Sequence, residues 1–211
     1  MRRVLMLLVA LALPASLFAQ SNAVAVFANR TSFRTTSFTD PVEGVTVDVK
    51  FDSKVGYGVS YDRFFSPNLS LQLLAQRLRG DARVVGSGGG ISISQDLGSL
   101  DLNQFDAALH WHFGTGNIRP YVGGGIGTIQ GAKLRVPSEL TGGPEETVNF
   151  DNKVTWVADA GIDWHVTPNG SIIVTAKYMP YSTGVDADPG DPIQRLKLDP
   201  MTYAVGFQWR F

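Results

Sequence analysis

The chain ends on an alternation of period two. Tyr203, Val205, Phe207, Trp209 and Phe211 alternate with Ala204, Gly206, Gln208 and Arg210. One set is large and apolar and the other small or polar, the mark of a β-strand whose two faces meet different surroundings. The same pattern recurs upstream. Residues 54–63 set Val55, Tyr57, Val59 and Tyr61 against Gly56, Gly58, Ser60 and Asp62. Residues 69–77 set Leu69, Leu71, Leu73 and Ala75 against Ser70, Gln72, Leu74 and Gln76. Over residues 100–113, Phe105, Ala107, Leu109, Trp111 and Phe113 oppose Asp106, Ala108, His110 and His112. Residues 153–165 put Val154, Trp156, Ala158, Ala160, Ile162 and Trp164 on one face, and residues 171–179 do the same with Ile172, Val174, Ala176 and Tyr178. Two more strands are predicted within residues 23–36 and 119–130. Mixed residue types in the first, and glycines at 123–125 and 127 in the second, leave their facing open.

The connections between these eight strands predict the topology. Residues 64–68, 114–118 and 166–170 are short and carry Pro, Gly or Asn, whereas 39–53, 78–99, 131–152 and 180–201 are long and polar or Gly/Pro-rich. Strict alternation of short and long predicts an all-β, eight-stranded antiparallel transmembrane barrel of the outer-membrane type. Such a barrel has short periplasmic turns and long extracellular loops, which puts both termini in the periplasm. The structural rival is a soluble lipocalin-type barrel, which would turn its apolar face inward. Against it, Tyr61, Trp111, Phe113, Trp164, Trp209 and Phe211 gather near the short turns, as a membrane-interface girdle does. The terminal strand, Tyr203, Val205, Phe207, Trp209 and Phe211, has the form expected of a signal for outer-membrane assembly machinery.

The start of the chain agrees. Arg2 and Arg3 precede an apolar run over residues 4–13, then Pro14 and a small residue at Ala19. Residues 1–19 therefore read as a cleaved signal peptide and 20–211 as a single barrel domain. The apolar run falls short of the about 20 residues a spanning helix needs. Composition narrows the picture further. The formal net charge of −1 offers no basic excess for nucleic acid. The absence of cysteine excludes disulfides, thiol nucleophiles and cysteine metal sites. A mean hydropathy of +0.02 suits a barrel, in which only alternate residues meet lipid.

Alternation nominates the polar side chains that face the lumen: Asp62, Gln72, Asp106, Asp159, Asp163, Lys177, Gln208 and Arg210. If the 166–170 turn sets His165 opposite Ser171, Asp159 faces Lys177 across the hairpin. Such a pair is either a charged constriction that selects solutes or an ion pair that fills a small barrel. His110 and His112 share a face, but no third ligand has a fixed spacing to them and the only other histidine is His165, so no metal or other cofactor is expected. These histidines lie at the periplasmic end, away from the outer leaflet where a lipid-modifying esterase would need them, so no enzyme is expected either. Other motifs are incomplete. Gly125-Ile-Gly127 lacks the third glycine of a dinucleotide loop, the glycines of 86–90 lack a following Lys-Ser/Thr, and Asp186, Asp188 and Asp191 lack the spacing of a calcium loop.

The stretch Asn117-Ile-Arg-Pro-Tyr-Val-Gly-Gly-Gly-Ile-Gly127 resembles the Arg-Pro-Tyr-x-Gly-x-Gly segment of the OmpW family. Ala160-Gly-Ile-Asp163, Ala176-Lys-Tyr178 and Leu198-Asp-Pro200 leading to a terminal Phe211 fit the same pattern in order. The resemblance implies an eight-stranded outer-membrane barrel that passes small, largely hydrophobic molecules through a narrow lumen. It also implies the partners: outer-membrane lipid and lipopolysaccharide, the assembly machinery and small hydrophobic solutes. That family often shows a tryptophan soon after the third long loop. Here Trp156 falls on the lipid face, so no gating role is carried over to it. Two functions follow. One is a narrow passive channel for small hydrophobic or amphipathic molecules. The other is a non-conducting barrel whose extracellular loops bind a partner, a surface or lipopolysaccharide. A barrel of eight strands is only just wide enough for its own side chains, which favours the second; the resemblance favours the first.

Overall fold

Closure of the sheet follows from its pairing. The computed structural model describes residues 21–39, 46–88, 91–136, 146–149, 152–185 and 194–211. The predicted signal peptide, the end of the 86–90 glycine run and Asp186, Asp188 and Asp191 lie outside the described residues. The strands, in chain order, are β1 (Asn22–Ser32), β2 (Thr36–Thr39), β3 (Thr46–Ser66), β4 (Leu69–Gly88), β5 (Ile91–His112), β6 (Ile118–Val136), β7 (Glu146–Asn149), β8 (Lys153–His165), β9 (Gly170–Tyr178), β10 (Ser182–Val185), β11 (Gln194–Lys197) and β12 (Met201–Arg210). The long strands pair antiparallel in the order β1, β12, β9, β8, β6, β5, β4, β3, and β3 pairs back to β1. This ring of eight leaves no unpaired edge, the condition for a sheet to sit in lipid.

The outward face is apolar. Val26, Val55, Ile126 and Val154 are 60–70% exposed, a pattern that is costly in water and required in hydrocarbon. Trp111, Phe113, Trp164, Trp209 and Phe211 are exposed beside the short turns, and the Tyr61 hydroxyl donates to Asn22 Oδ1 at 2.8 Å. Polar side chains occupy the interior, which excludes the lipocalin-type arrangement. The two strands left open by the sequence are now assigned. In β1, Ala23, Ala25, Phe27, Asn29 and Thr31 are buried; in β6, Arg119, Tyr121 and Ile129 are buried while Val122 and Ile126 point out.

Strand lengths correct the sequence reading. The expected long connections 39–53, 78–99 and 131–152 are in large part strand, because β3, β4, β5 and β6 run 19 to 22 residues. The reason is an inversion of pattern. Nearer the periplasm the wall is apolar outside and polar inside. Beyond Gln76, Leu78 and Ala82 point in, while Arg77, Arg79 and Arg83 point out. There the wall has left the lipid, so its outer face meets water. A register shift between Lys54 and Tyr57 changes the parity of β3 at the same height, turning Val49 and Phe51 toward the interior. The outer face there carries ion pairs: Lys54–Asp81 at 2.7 Å, Arg83–Asp52 at 2.8 Å, and Arg77 and Arg79 on Asp101 at 3.0 and 3.4 Å. Being exposed, each adds little stability. The 180–201 connection likewise holds a short hairpin, β10 with β11.

Phe211 lies at the periplasmic rim, 63% exposed, with its backbone paired both ways to Asn22. Its deletion should lower outer-membrane yield in cells yet leave refolding in detergent largely intact. An equal loss in both assays would make it a stability residue rather than part of an assembly signal.

Candidate functional site

The barrel interior is layered. At the extracellular end, Phe33, Leu78, Leu100, Leu102, Ile129, Met179, Tyr181 and Leu198 form a buried apolar cluster. Met179, Tyr181 and Leu198 come from the segments flanking the β10–β11 hairpin, which fold into the barrel mouth as a strap. Its backbone is pinned: Arg34 N donates to Leu198 O, Leu198 N to Tyr181 O, and Met179 N to Pro200 O. The Asp199 carboxylate accepts from Tyr181 N at 3.2 Å and faces Arg34 at 3.4 Å. Asp199 takes a left-handed backbone (φ 34), a conformation its short polar side chain tolerates.

Below the strap lies a polar layer drawn from seven strands. Lys177 Nζ on β9 reaches Asp106 Oδ1 on β5 at 2.8 Å and Asp159 Oδ2 on β8 at 3.0 Å. Asp159 and Lys177 are direct register partners, as the hairpin length dictates. The expected pair is thus a three-membered cluster, because curvature of the ring brings β5 across the lumen. Gln104 donates to Asp106 at 2.8 Å, Gln76 to Gln104 at 3.1 Å, and Asn29 to Gln76 at 3.1 Å. Asp62 accepts from Ser60, Gln72 and Gln208 at 2.9, 3.2 and 3.3 Å. His110 Nε2 lies 3.1 Å from Asp159 Oδ2. The absent strand is β6, and its Gly123 explains why. Gly123 sits in register between His110 and Asp159, and a Cβ there would collide with both. In this layer Asp62, Gln72, Asp106, Asp159, Lys177 and Gln208 are each at most 7% exposed. Between Gln72, Gln76, Tyr121 and Lys177 lies a void of about 10 Å³, at the threshold for one water.

At the periplasmic end the interior opens. Asp163 lies 3.6 Å from both Arg210 Nη2 and His165 Nε2. Arg210 stacks on the Phe64 ring at 4.2 Å. Sequence reasoning missed Arg119, Tyr121, Gln104 and Asn29 as interior polar groups, and set Gln76 on the inward face without nominating it. Arg119 and Tyr121 stood in a strand whose facing the glycines obscured. His110 and His112 are buried with rings stacked on or tilted against Tyr121. Among the described residues, no cluster of three metal-ligating side chains occurs. His165 Nδ1 and Ser171 Oγ are 2.8 Å apart, but Ser171 is walled in at 2% exposure.

A closed antiparallel ring with an apolar outer band and a polar core defines a protein of the bacterial outer membrane. The family model of the outer membrane protein beta-barrel domain matches residues 5–211, and the chain belongs to that family. The fold is similar to that of the outer membrane protein OprG from Pseudomonas aeruginosa, at 16% identity and TM-score 0.69, covering 92% of this chain and 96% of that one. It is also similar to the outer membrane protein AlkL in lipid bilayers (17% identity, TM-score 0.54, 94% and 93% covered). A third likeness is to Ail of Yersinia pestis, the attachment invasion locus protein, in complex with the heparin analogue sucrose octasulfate (12% identity, TM-score 0.53, 92% and 100% covered). No curated protein matches the chain.

Proposed function

We propose that the barrel is a narrow passive route for small hydrophobic or amphipathic molecules arriving from outside the cell. The carrying observation is the division of the interior: an apolar extracellular half packed from Leu78, Leu100, Leu102 and Ile129 above an ionic layer closed around Lys177. An apolar solute gains by leaving water for the first and meets a desolvation barrier at the second. The same barrier opposes ions, so the route discriminates by polarity rather than by size alone. The family resemblance in the 117–127 segment supports this reading. No catalytic role is part of it.

The test is uptake of an environment-sensitive hydrophobic dye by cells with and without the protein, alongside conductance in planar bilayers. The expected result is dye uptake that depends on the barrel, with little ion current. Leu100→Asn, placed in the apolar half, should cut dye uptake several-fold in the fraction that folds, which the heat-dependent gel shift measures. Failure of the parent protein to raise uptake would overturn the channel reading. The filled polar layer favours a second reading, a non-conducting barrel whose extracellular segments bind a partner or surface. That reading is supported if uptake is absent and cells bearing the barrel bind a surface that barrel-free cells do not.

A further inference from the structure

The outer face changes character at one height. On β4 the outward residues Leu71, Leu73 and Ala75 give way to Arg77 and Arg79, where the apolar band ends. Just beyond that edge one register row crosses four strands. Lys54 on β3 lies opposite Arg79 on β4, Arg79 opposite Asp101 on β5, and Asp101 opposite Lys133 on β6. The row faces outward, because Leu78, Leu100, Leu102 and Ala132, which alternate with it, are buried. Carboxylates do not balance it. Arg77 takes both oxygens of Asp101, at 3.0 and 3.3 Å, and Arg79 shares one of them at 3.4 Å. Lys133 stands opposite the same carboxylate and makes no ion pair among the described residues. Three cations therefore surround one acid. The other acids nearby are engaged: Asp81 with Lys54 at 2.7 Å, and Asp52 and Asp96 with Arg83 at 2.8 and 3.0 Å. Lys54 directly opposite Arg79 is itself unfavourable, since like charges in register destabilise a sheet.

We propose that this row is a docking site for the phosphate groups of outer-leaflet lipid, held against the β3–β6 face of the barrel. Height carries the choice of occupant. The row lies at the extracellular edge of the apolar band, the level at which lipid headgroups meet the wall. Long Lys and Arg stems lie along apolar surface while their charged ends stay in the polar layer. Guanidinium forks match phosphate oxygens and bind them through charge-assisted hydrogen bonds. The donors are open to such a group, with the side chains of Arg77, Arg79 and Lys54 38, 46 and 48% exposed. Exposed ion pairs are weak, so a phosphate can take a share of Arg77 and Arg79 without breaking the fold. An anion bound there also offsets the repulsion between Lys54 and Arg79. The site is on the outer wall, so it is independent of whether the lumen conducts.

The experiment uses the full barrel refolded in detergent micelles and titrated with dansyl-labelled, bis-phosphorylated lipid A. Binding is read as energy transfer from the tryptophans of the barrel. Saturable transfer is expected, with half-saturation several-fold tighter than for the same lipid stripped of its phosphates. The triple variant Arg77→Gln/Arg79→Gln/Lys133→Gln should weaken half-saturation roughly tenfold or more, the loss of charge-assisted hydrogen bonds. If the triple variant does not fold by the heat-dependent gel shift, Arg79→Gln alone carries the test, with a several-fold loss expected. Lys153→Gln is the control, since that lysine bonds Ser182 at the mouth and lies outside the row. Asp101→Asn should tighten binding, because it removes the carboxylate that competes for Arg77 and Arg79; a row that serves only as a ladder of ion pairs gives no such gain. The proposal is overturned if phosphate-free lipid A binds as tightly, if the charge-removing variant binds like the parent, or if Asp101→Asn fails to tighten binding. It is also overturned if millimolar sodium phosphate abolishes the transfer at constant ionic strength, which would assign a soluble anion instead of lipid.

Discussion

Lys177→Met should be among the most damaging single substitutions in this barrel, costing about 3–5 kcal/mol, the range for removing one partner of a buried ion pair. Lys177 is 4% exposed and neutralises two carboxylates at once, Asp106 at 2.8 Å and Asp159 at 3.0 Å. Without it, Asp106 keeps only the Gln104 amide and Asp159 only the His110 ring. The double variant Asp159→Leu/Lys177→Met should recover only part of the loss, because Asp106 is still stranded. Adding Asp106→Leu should recover much of the rest, since an apolar replacement of a whole buried cluster costs less than a broken one. Urea unfolding in detergent, followed by the fluorescence of Trp111, Trp156, Trp164 and Trp209, measures all three. Full recovery in the double variant would show that Asp106 does not depend on Lys177, and the three-membered cluster would be wrong.

That ordering of variants marks the limit of what alternation and turn length reveal. The register of Asp159 against Lys177 was legible because a hairpin with a short turn has only one pairing, and period two puts both side chains on one face. Asp106 sits on β5, two strands from β8 in the ring, and reaches Lys177 across the lumen. Its approach depends on the curvature and stagger of the closed barrel, which no local pattern encodes. The extracellular wall was illegible for a different reason. Leu78, Leu100 and Leu102 keep the period of two but reverse its sense, because outside the membrane water replaces lipid on the outer face. A reading that expects apolar residues outside takes the reversal, along with Gly80 and Gly86, for a loop. The periplasmic arginines were only half visible. Arg210 follows from the terminal strand, while Arg119 is hidden in a β6 segment where glycines on both faces erase the alternation.

Those glycines support the second large prediction. Gly123→Val should abolish refolding or destabilise the barrel by roughly 3 kcal/mol or more, as overpacking adds to a broken buried hydrogen bond. Gly123 is the rung between His110 on β5 and Asp159 on β8, and a Cβ there would overlap the His110 ring and an Asp159 carboxylate oxygen. The two side chains meet over the backbone of β6 only because that rung is bare. A methyl group already displaces one of them, and a branched side chain separates both, freeing Asp159 from one of its two partners. Gly124 is the matched control. It belongs to the same strand and the same glycine run, but faces outward, and a Cβ there approaches nothing closer than Val157 O at 3.7 Å. Gly124→Val should therefore be tolerated, and the higher strand propensity of valine, together with added contact to the apolar surroundings, should make it neutral to mildly stabilising. The folded fraction of each variant, from the heat-dependent gel shift, and its urea midpoint decide the matter. If Gly123→Val folds as well as Gly124→Val, the bare rung is not what lets the polar layer close, and the His110–Asp159 contact must rest on the surrounding network alone.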